Sequence, residues 1–232
     1  MTAPAGPGAL STVWTLAGVT LRRLVRGKGL WIGAAIAALP SAFATVAHAR
    51  GAANADRILS ATTLVLAVLP AMFVGSSIAE EIEGKTLTYL WSRPIARWGV
   101  LAGKLCALAP IAIALVVGGW VAACYLGIEA VPPARSWLAI GAGCLAACLI
   151  AAGIATVVPR HAMALTIGYL LVDNVVGVLP FSMRELSIMH QAHVLAAVGS
   201  ARPAIGLPLG ALAVVAGLWA VVGLVRIGRM EA

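Results

Sequence analysis

Charge is what this sequence has least of. Only 10% of its 232 residues are Asp, Glu, Lys or Arg, against about 25% in an ordinary soluble domain. Acidic residues are the scarcest, eight in all, too few to spread over a soluble surface. Long uncharged runs accompany the deficit, and 62% of the residues are hydrophobic. The class is therefore an integral membrane protein. Cysteine is sparse too. Cys106, Cys124, Cys144 and Cys148 all lie in apolar runs, without zinc-finger spacing or the pattern of a disulfide framework. Cys144 and Cys148 share a helix face, and the four thiols read as small core residues at helix contacts. The opening MTAPAGPGALSTVW has no positive region ahead of its first apolar stretch. It reads as lacking a cleavable signal peptide, which leaves the first span as the insertion signal. No Ser/Lys, paired-Asp or His-Glu-x-x-His constellation appears in the sequence, which argues against an intramembrane enzyme.

What is present is apolar sequence in lengths that cross a bilayer. A spanning helix needs roughly 20 mostly apolar residues. Six segments qualify: Gly29–Ala47, Ile58–Ala79, Leu105–Ile128, Trp137–Val158, Ala162–Leu179 and Ala204–Val225. The expected fold is all-α and polytopic, one domain over residues 1–232. Val131–Trp137 carries a Pro-Pro pair, and Pro159–His161 is a very short connection. Pro40, Pro70, Pro110 and Pro208 fall within or near apolar runs, where they would kink or interrupt a helix.

The formal net charge of +8 could suggest nucleic acid. The basic residues, however, cluster in short segments between apolar runs, which suits an anionic membrane face. With the N-terminus in the cytoplasm, the inside segments hold Arg22, Arg23, Arg26, Lys28, Lys85, Arg93, Arg97, Lys104, Arg160, Arg226 and Arg229. The outside holds Arg50, Arg57, Arg135, Arg184 and Arg202. Eleven basic residues against five predict that both termini are cytoplasmic. Ahead of the first span, Val13, Leu16, Ala17, Leu21, Leu24 and Val25 recur at helical spacing, with Arg22, Arg23, Arg26 and Lys28 following. Residues 9–28 read either as an amphipathic helix on the inner leaflet, anchored by those four charges, or as an extension of the first helix.

The stretch AEEIEGKT, Ala79–Thr86, ends like a phosphate-binding loop. That motif needs Gly, four residues, then Gly-Lys-Ser/Thr. Here Ala79 stands where the first glycine belongs, and its methyl group hinders close backbone approach. Glu80, Glu81 and Glu83 would repel a triphosphate. A phosphate loop also joins a strand to a helix, whereas this stretch follows an apolar span. Tyr169–Asp173 imitates the apolar strand whose terminal Asp holds magnesium, but a strand inside a span would leave its backbone unpaired in lipid. No bound cofactor is expected on this chain.

Asp173, with Asn174 beside it, is an acidic group in a membrane span. Such groups mark a substrate path or proton relay, or lie hydrogen-bonded between helices or near the interface. Outside, Pro180–Pro203 is too polar to cross and too apolar for an ordinary loop, and reads as a re-entrant or surface-lying segment. Within it, His190 and His193 lie near Met183 and Met189, yet two imidazoles do not close a metal site. Gly206 and Gly210 around Pro208 suit close helix contact.

The strongest signal lies between spans two and three, in EEIEGKTLTYLWSRPIARWGVLAGK, residues 80–104. Three carboxylates open it, favourable at a helix N-terminus. Leu87, Leu90 and Trp91 share one face of a short helix that Arg93-Pro94 would end. Arg97 and Lys104 are seven apart, on one side of the return helix near the lipid headgroups. The bland reading is a solvated loop with ordinary anchoring charges. The segment also resembles the cytoplasmic signature of ABC-2 type transporter permeases. The residues that match are Glu80, Glu81, Gly84, Thr86 and Leu87, then Arg93, Pro94, Ile95 and Arg97, then Gly103 and Lys104.

The resemblance extends to the leading amphipathic helix, the six spans and the apolar turn before the last span. The outer loops and the Pro159–His161 connection are smaller than the family pattern. The resemblance implies a permease subunit of an exporter in a bacterial inner membrane, paired with a second copy or a related permease. Residues 80–97 would hold the coupling helix, which docks on a separate ATPase subunit carrying ATP and magnesium. Nucleic acid is not an expected partner. A stand-alone ion-coupled carrier using Asp173, or a membrane scaffold, is the alternative.

Overall fold

A computed structural model describes residues 9–84, 97–180, 182–196 and 205–229. All regular structure among them is helical. Six helical stretches are long and apolar enough to cross a membrane: Gly29–Ala49, Ala55–Glu83, Trp98–Ile128, Ala134–Val157, Pro159–Val178 and Gly206–Arg229. These are the six expected spans, with boundaries that move. The second begins three residues early and runs four residues further, because its helix continues past the apolar run into polar sequence. The third begins at Trp98, well before Leu105, for the same reason.

Helix α1 (Ala9–Arg26) precedes the first span. The first span comprises α2 (Gly29–Ala37) and α3 (Leu39–Ala49). The break at Ala38 follows from Pro40, which has no N–H to donate and fits only the first turn of a new helix. The second span starts with α4 (Ala55–Pro70), whose first turn is capped by Asn54: its side chain accepts from the Arg57 N–H at 2.8 Å. Pro70 removes a donor from the ladder, and the chain widens into a buried π-helical turn, Ala71–Gly75, before α5 (Ser76–Glu83). Pro110 sits inside α6 (Arg97–Ile128) without ending it. Then come α7 (Ala134–Val157), a short turn Pro159–His161, and α8 (Ala162–Val178). A 3-10 turn, Ser182–Leu186, leads to α9 (Ile188–Ala196), and α10 (Gly206–Arg229) closes the described chain.

Helix α7 forms the centre. It packs against α4, α6, α8, α9 and α10. Its buried residues are mostly Ala, Gly, Cys, Ser and Thr, whose small side chains let backbones approach where lipid supplies no hydrophobic drive for association. Gly153 faces Trp219 of α10, and a Cβ on Gly153 would lie 2.9 Å from the Trp219 carbonyl oxygen. The Trp120 indole N–H of α6 donates to Ser136 Oγ of α7 at 3.1 Å. The second and fourth spans are 72% buried in their most apolar windows, whereas the first, fifth and sixth are 28%, 17% and 28% buried. The outer three therefore present most of their apolar surface away from this chain.

Candidate functional site at the Glu80 to Lys104 segment

Helix α5 carries the start of the segment. It ends at Gly84, whose N–H reaches back to the Glu80 carbonyl at 2.9 Å. Glu83 and Gly84 are exposed there. Glu80 is exposed and pairs with Arg23 of α1, Arg23 Nη2 lying 3.5 Å from Glu80 Oε2. Leu87, Leu90, Trp91, Arg93 and Pro94 lie outside the described residues. Arg97 opens α6.

Glu81 and Lys104 occupy positions that sequence reasoning did not foresee. Lys104 was expected among the lipid headgroups, but it is only 4% exposed. Its Nζ lies 2.8 Å from Glu81 Oε1. It also donates to the Ser77 backbone carbonyl and to Ser77 Oγ, the latter at 3.1 Å. The physical reason is that a lysine this far along a span, on the face turned to α5, finds a carboxylate closer than it finds water, and a buried ammonium needs such a partner. The signal that could have found it was the lysine itself, followed by more than twenty apolar positions on one helix.

Beside this pair is a cavity of about 430 Å³ between α1, α2, α5 and α6. Apolar Leu24, Met72, Phe73 and Leu108 line it together with the two ion pairs. Its other polar side chains are satisfied within the chain: Thr20 Oγ1 donates to the Leu16 carbonyl and Ser76 Oγ to the Met72 carbonyl.

The other basic residues assigned to the membrane face, Arg22, Arg23, Arg26 and Lys28, are all exposed. The helix that carries three of them turns Val13 and Ala17 inward, and it packs on α6.

Asp173 takes a different role from a lone intramembrane acid. Its carboxylate accepts from the Met189 N–H at 3.0 Å, from the Ile188 N–H at 3.3 Å and from Ser187 Oγ at 3.1 Å. It thus supplies the acceptors that the first turn of α9 lacks. Asn174 beside it is half-buried. Helix α9 buries Ile188, Met189, Gln191, Ala192 and Leu195 and packs into the bundle against α7 and α10. Gln191 is held by the Glu185 carbonyl at 2.6 Å, and Arg135 Nε donates to the Leu195 carbonyl at 2.7 Å. His193 Nδ1 contacts the Met189 carbonyl at 3.0 Å, while His190 faces Glu185 at 4.0 Å. Cys124, Cys144 and Cys148 are buried as expected. Cys106 is exposed, because its position on α6 faces outward from the bundle.

Residues 21–183 match the family of the ABC-2 family transporter protein. No curated protein matches the chain. The match spans most of the sequence, from the basic end of α1 through five spans, and includes the Glu80–Lys104 segment. Together with six helices of membrane-crossing length, it places this multi-pass membrane protein in the ABC-2 transporter family.

Proposed function

We propose that this chain is the permease subunit of an ATP-driven exporter in a bacterial inner membrane, with both termini in the cytoplasm. Two permease subunits, either two copies or this chain and a related one, work with ATPase subunits on other chains. ATP and magnesium reside on those partners. The observation that carries the reading is the position of the family's motif: Glu80–Gly84 stands where span two ends, with Glu80, Glu83 and Gly84 exposed. Nucleotide-driven closure of the ATPase pushes on residues 80–97. Glu80 and Glu83 offer charge to basic groups on the ATPase. Leu87, Leu90 and Trp91 fill an apolar groove on it, and Arg93-Pro94 sets the angle of return. Arg97 anchors the start of α6. Glu81, whose Oε1 lies 2.8 Å from Lys104 Nζ, adds its charge from a partly exposed position.

The test is purification of the chain in mild detergent from the cells that natively make it. A nucleotide-binding chain co-purifying in stoichiometric amount is the expected result. Complete transport by the isolated chain, with no ATPase present, would sink the reading.

A further inference from the structure

The ends of the coupling segment meet inside the protein. Glu81 lies in the last turn of α5, and Lys104 lies two turns into α6. Their charged atoms are 2.8 Å apart. The Glu81 side chain is 28% exposed and that of Lys104 is 5% exposed, so salt in solution screens this pair far less than the open Arg23–Glu80 pair. Ser77 and Glu81 are four residues apart on α5 and share a face. By holding both, Lys104 grips two successive turns of that helix.

Direct packing between α5 and α6 is otherwise sparse. The cavity of about 430 Å³ leaves α5 without a packed neighbour on the side of α1 and α2. Helix α5 has only eight residues and ends in an exposed Gly84. The last turn of a helix lacks intrahelical partners for its carbonyls and is where fraying begins. Helix α5 packs on α7 and on the Pro159–His161 turn, so a push arriving at Gly84 reaches the fourth and fifth spans, but packing carries little of it to α6. The Lys104 contact supplies that link: it ties the last two turns of α5 to α6, which packs on α1, α3, α4 and α7.

We propose that Lys104 is a positioning residue for energy coupling: it latches the end of span two onto span three, so that displacement of the intervening segment moves both spans together. The inference rests on the function proposed above. It also accounts for a lysine buried against Glu81 and Ser77.

The experiment uses the full permease–ATPase complex in lipid nanodiscs. The exposed thiol of Cys106 is removed as Cys106→Ser. Spin labels are placed at Tyr125→Cys on α6 and Val178→Cys on α8, both exposed positions. Label separation is measured with and without ATP plus vanadate, alongside the rate of ATP hydrolysis.

The wild-type latch should give a nucleotide-driven change in separation. In Lys104→Met the fraction of molecules that move should fall by roughly fivefold or more, the lower end of coupling between distant sites, while ATP hydrolysis continues. Lys104→Arg, which keeps the charge, should restore movement. Glu81→Gln should give an intermediate loss, and it carries the test if Lys104→Met does not assemble. Movement like wild type in Lys104→Met, or in Glu81→Gln where that variant stands in, overturns the latch. So does a parallel fall in hydrolysis and movement. A wild-type complex that hydrolyses ATP without moving α6 overturns the latch alone. Absence of any co-purifying ATPase overturns the proposed function and the latch with it.

Discussion

The carboxylate of Asp173 accepts the backbone N–H of Met189 at 3.0 Å, so an acidic residue of the fifth span serves as the cap of the next helix. A capping role and a proton-carrying role make opposite demands on the side chain. A carrier needs the proton to come and go, and an amide abolishes that. A cap needs only an acceptor, and an amide retains one. Asp173→Asn is expected to leave function intact and to cost under about 1 kcal/mol. Asp173→Ala should cost about 1–2 kcal/mol, typical for loss of a helix cap. Amide exchange at Ile188 and Met189 should quicken in the alanine variant only. Loss of function in Asp173→Asn, with thermal stability unchanged, would revive the carrier reading.

How much of this was legible in the sequence depended on range. The six spans were, because each needs only a local run of apolar residues. Their ends were less so. Arg97 and Trp98 begin α6 well before Leu105, since a helix can extend beyond the hydrocarbon and composition alone marks only the apolar part. Polar residues within spans were visible, but their partners were not. Asp173 meets Ser187 and Met189, and Lys104 meets Glu81, only because of how helices turn and cross. Each pair joins residues on different helices, so no periodicity within one element relates them. Cys106 differs for a related reason: which face of α6 turns outward is decided by neighbours, and beyond Lys104 the helix is apolar all round.

Two adjacent glycines on α6 should respond differently to the same substitution. A Cβ on Gly119 would lie 2.3 Å from the carbonyl oxygen of Ala37, whereas one on Gly118 meets nothing within 4 Å. The first position is where spans one and three touch backbone to backbone. Gly119→Ala must push α2 and α6 apart, at a cost of about 1–3 kcal/mol for overpacking. Gly118→Ala fits the same helix without a clash and should be neutral or gain up to about 1 kcal/mol from helix propensity. Thermal unfolding in detergent, read for both variants side by side, checks the pair. Equal melting temperatures would contradict the close approach.

Trp91 carries the docking half of the proposed function. An aromatic anchor at the centre of an interface commonly contributes 2 kcal/mol or more. Trp91→Ala should therefore weaken ATPase binding by roughly thirtyfold, with the permease still folded and inserted. Binding of the purified ATPase to nanodisc-held permease, followed by surface resonance, gives the number. Unchanged affinity would remove Trp91 from the docking surface.

Helix α1 divides its circumference into three sectors. Val13 and Ala17 are buried against the protein, and Leu16, Thr20 and Leu24 flank them. About a quarter-turn away, Trp14, Leu21 and Val25 form an apolar stripe, with Trp14 72% exposed. The remaining sector bears Arg22 and Arg26, both exposed. One apolar sector is accounted for by α6, and the second has no protein against it among the described residues. In water that stripe would be a liability. On a bilayer it would serve as the membrane-binding face of an interfacial helix, with the arginines toward the headgroups. A charge placed on it should lift α1 from the membrane without touching its packing on α6. Leu21→Glu is expected to lower the lipid protection of α1, measured as quenching of Trp14 fluorescence by brominated acyl chains, while leaving thermal stability within about 0.5 kcal/mol. A matched change on the aqueous sector, Arg22→Glu, should weaken binding only to vesicles containing anionic lipid, by about 1 kcal/mol per charge removed. If Trp14 is quenched equally in wild type and Leu21→Glu, the stripe faces something other than lipid.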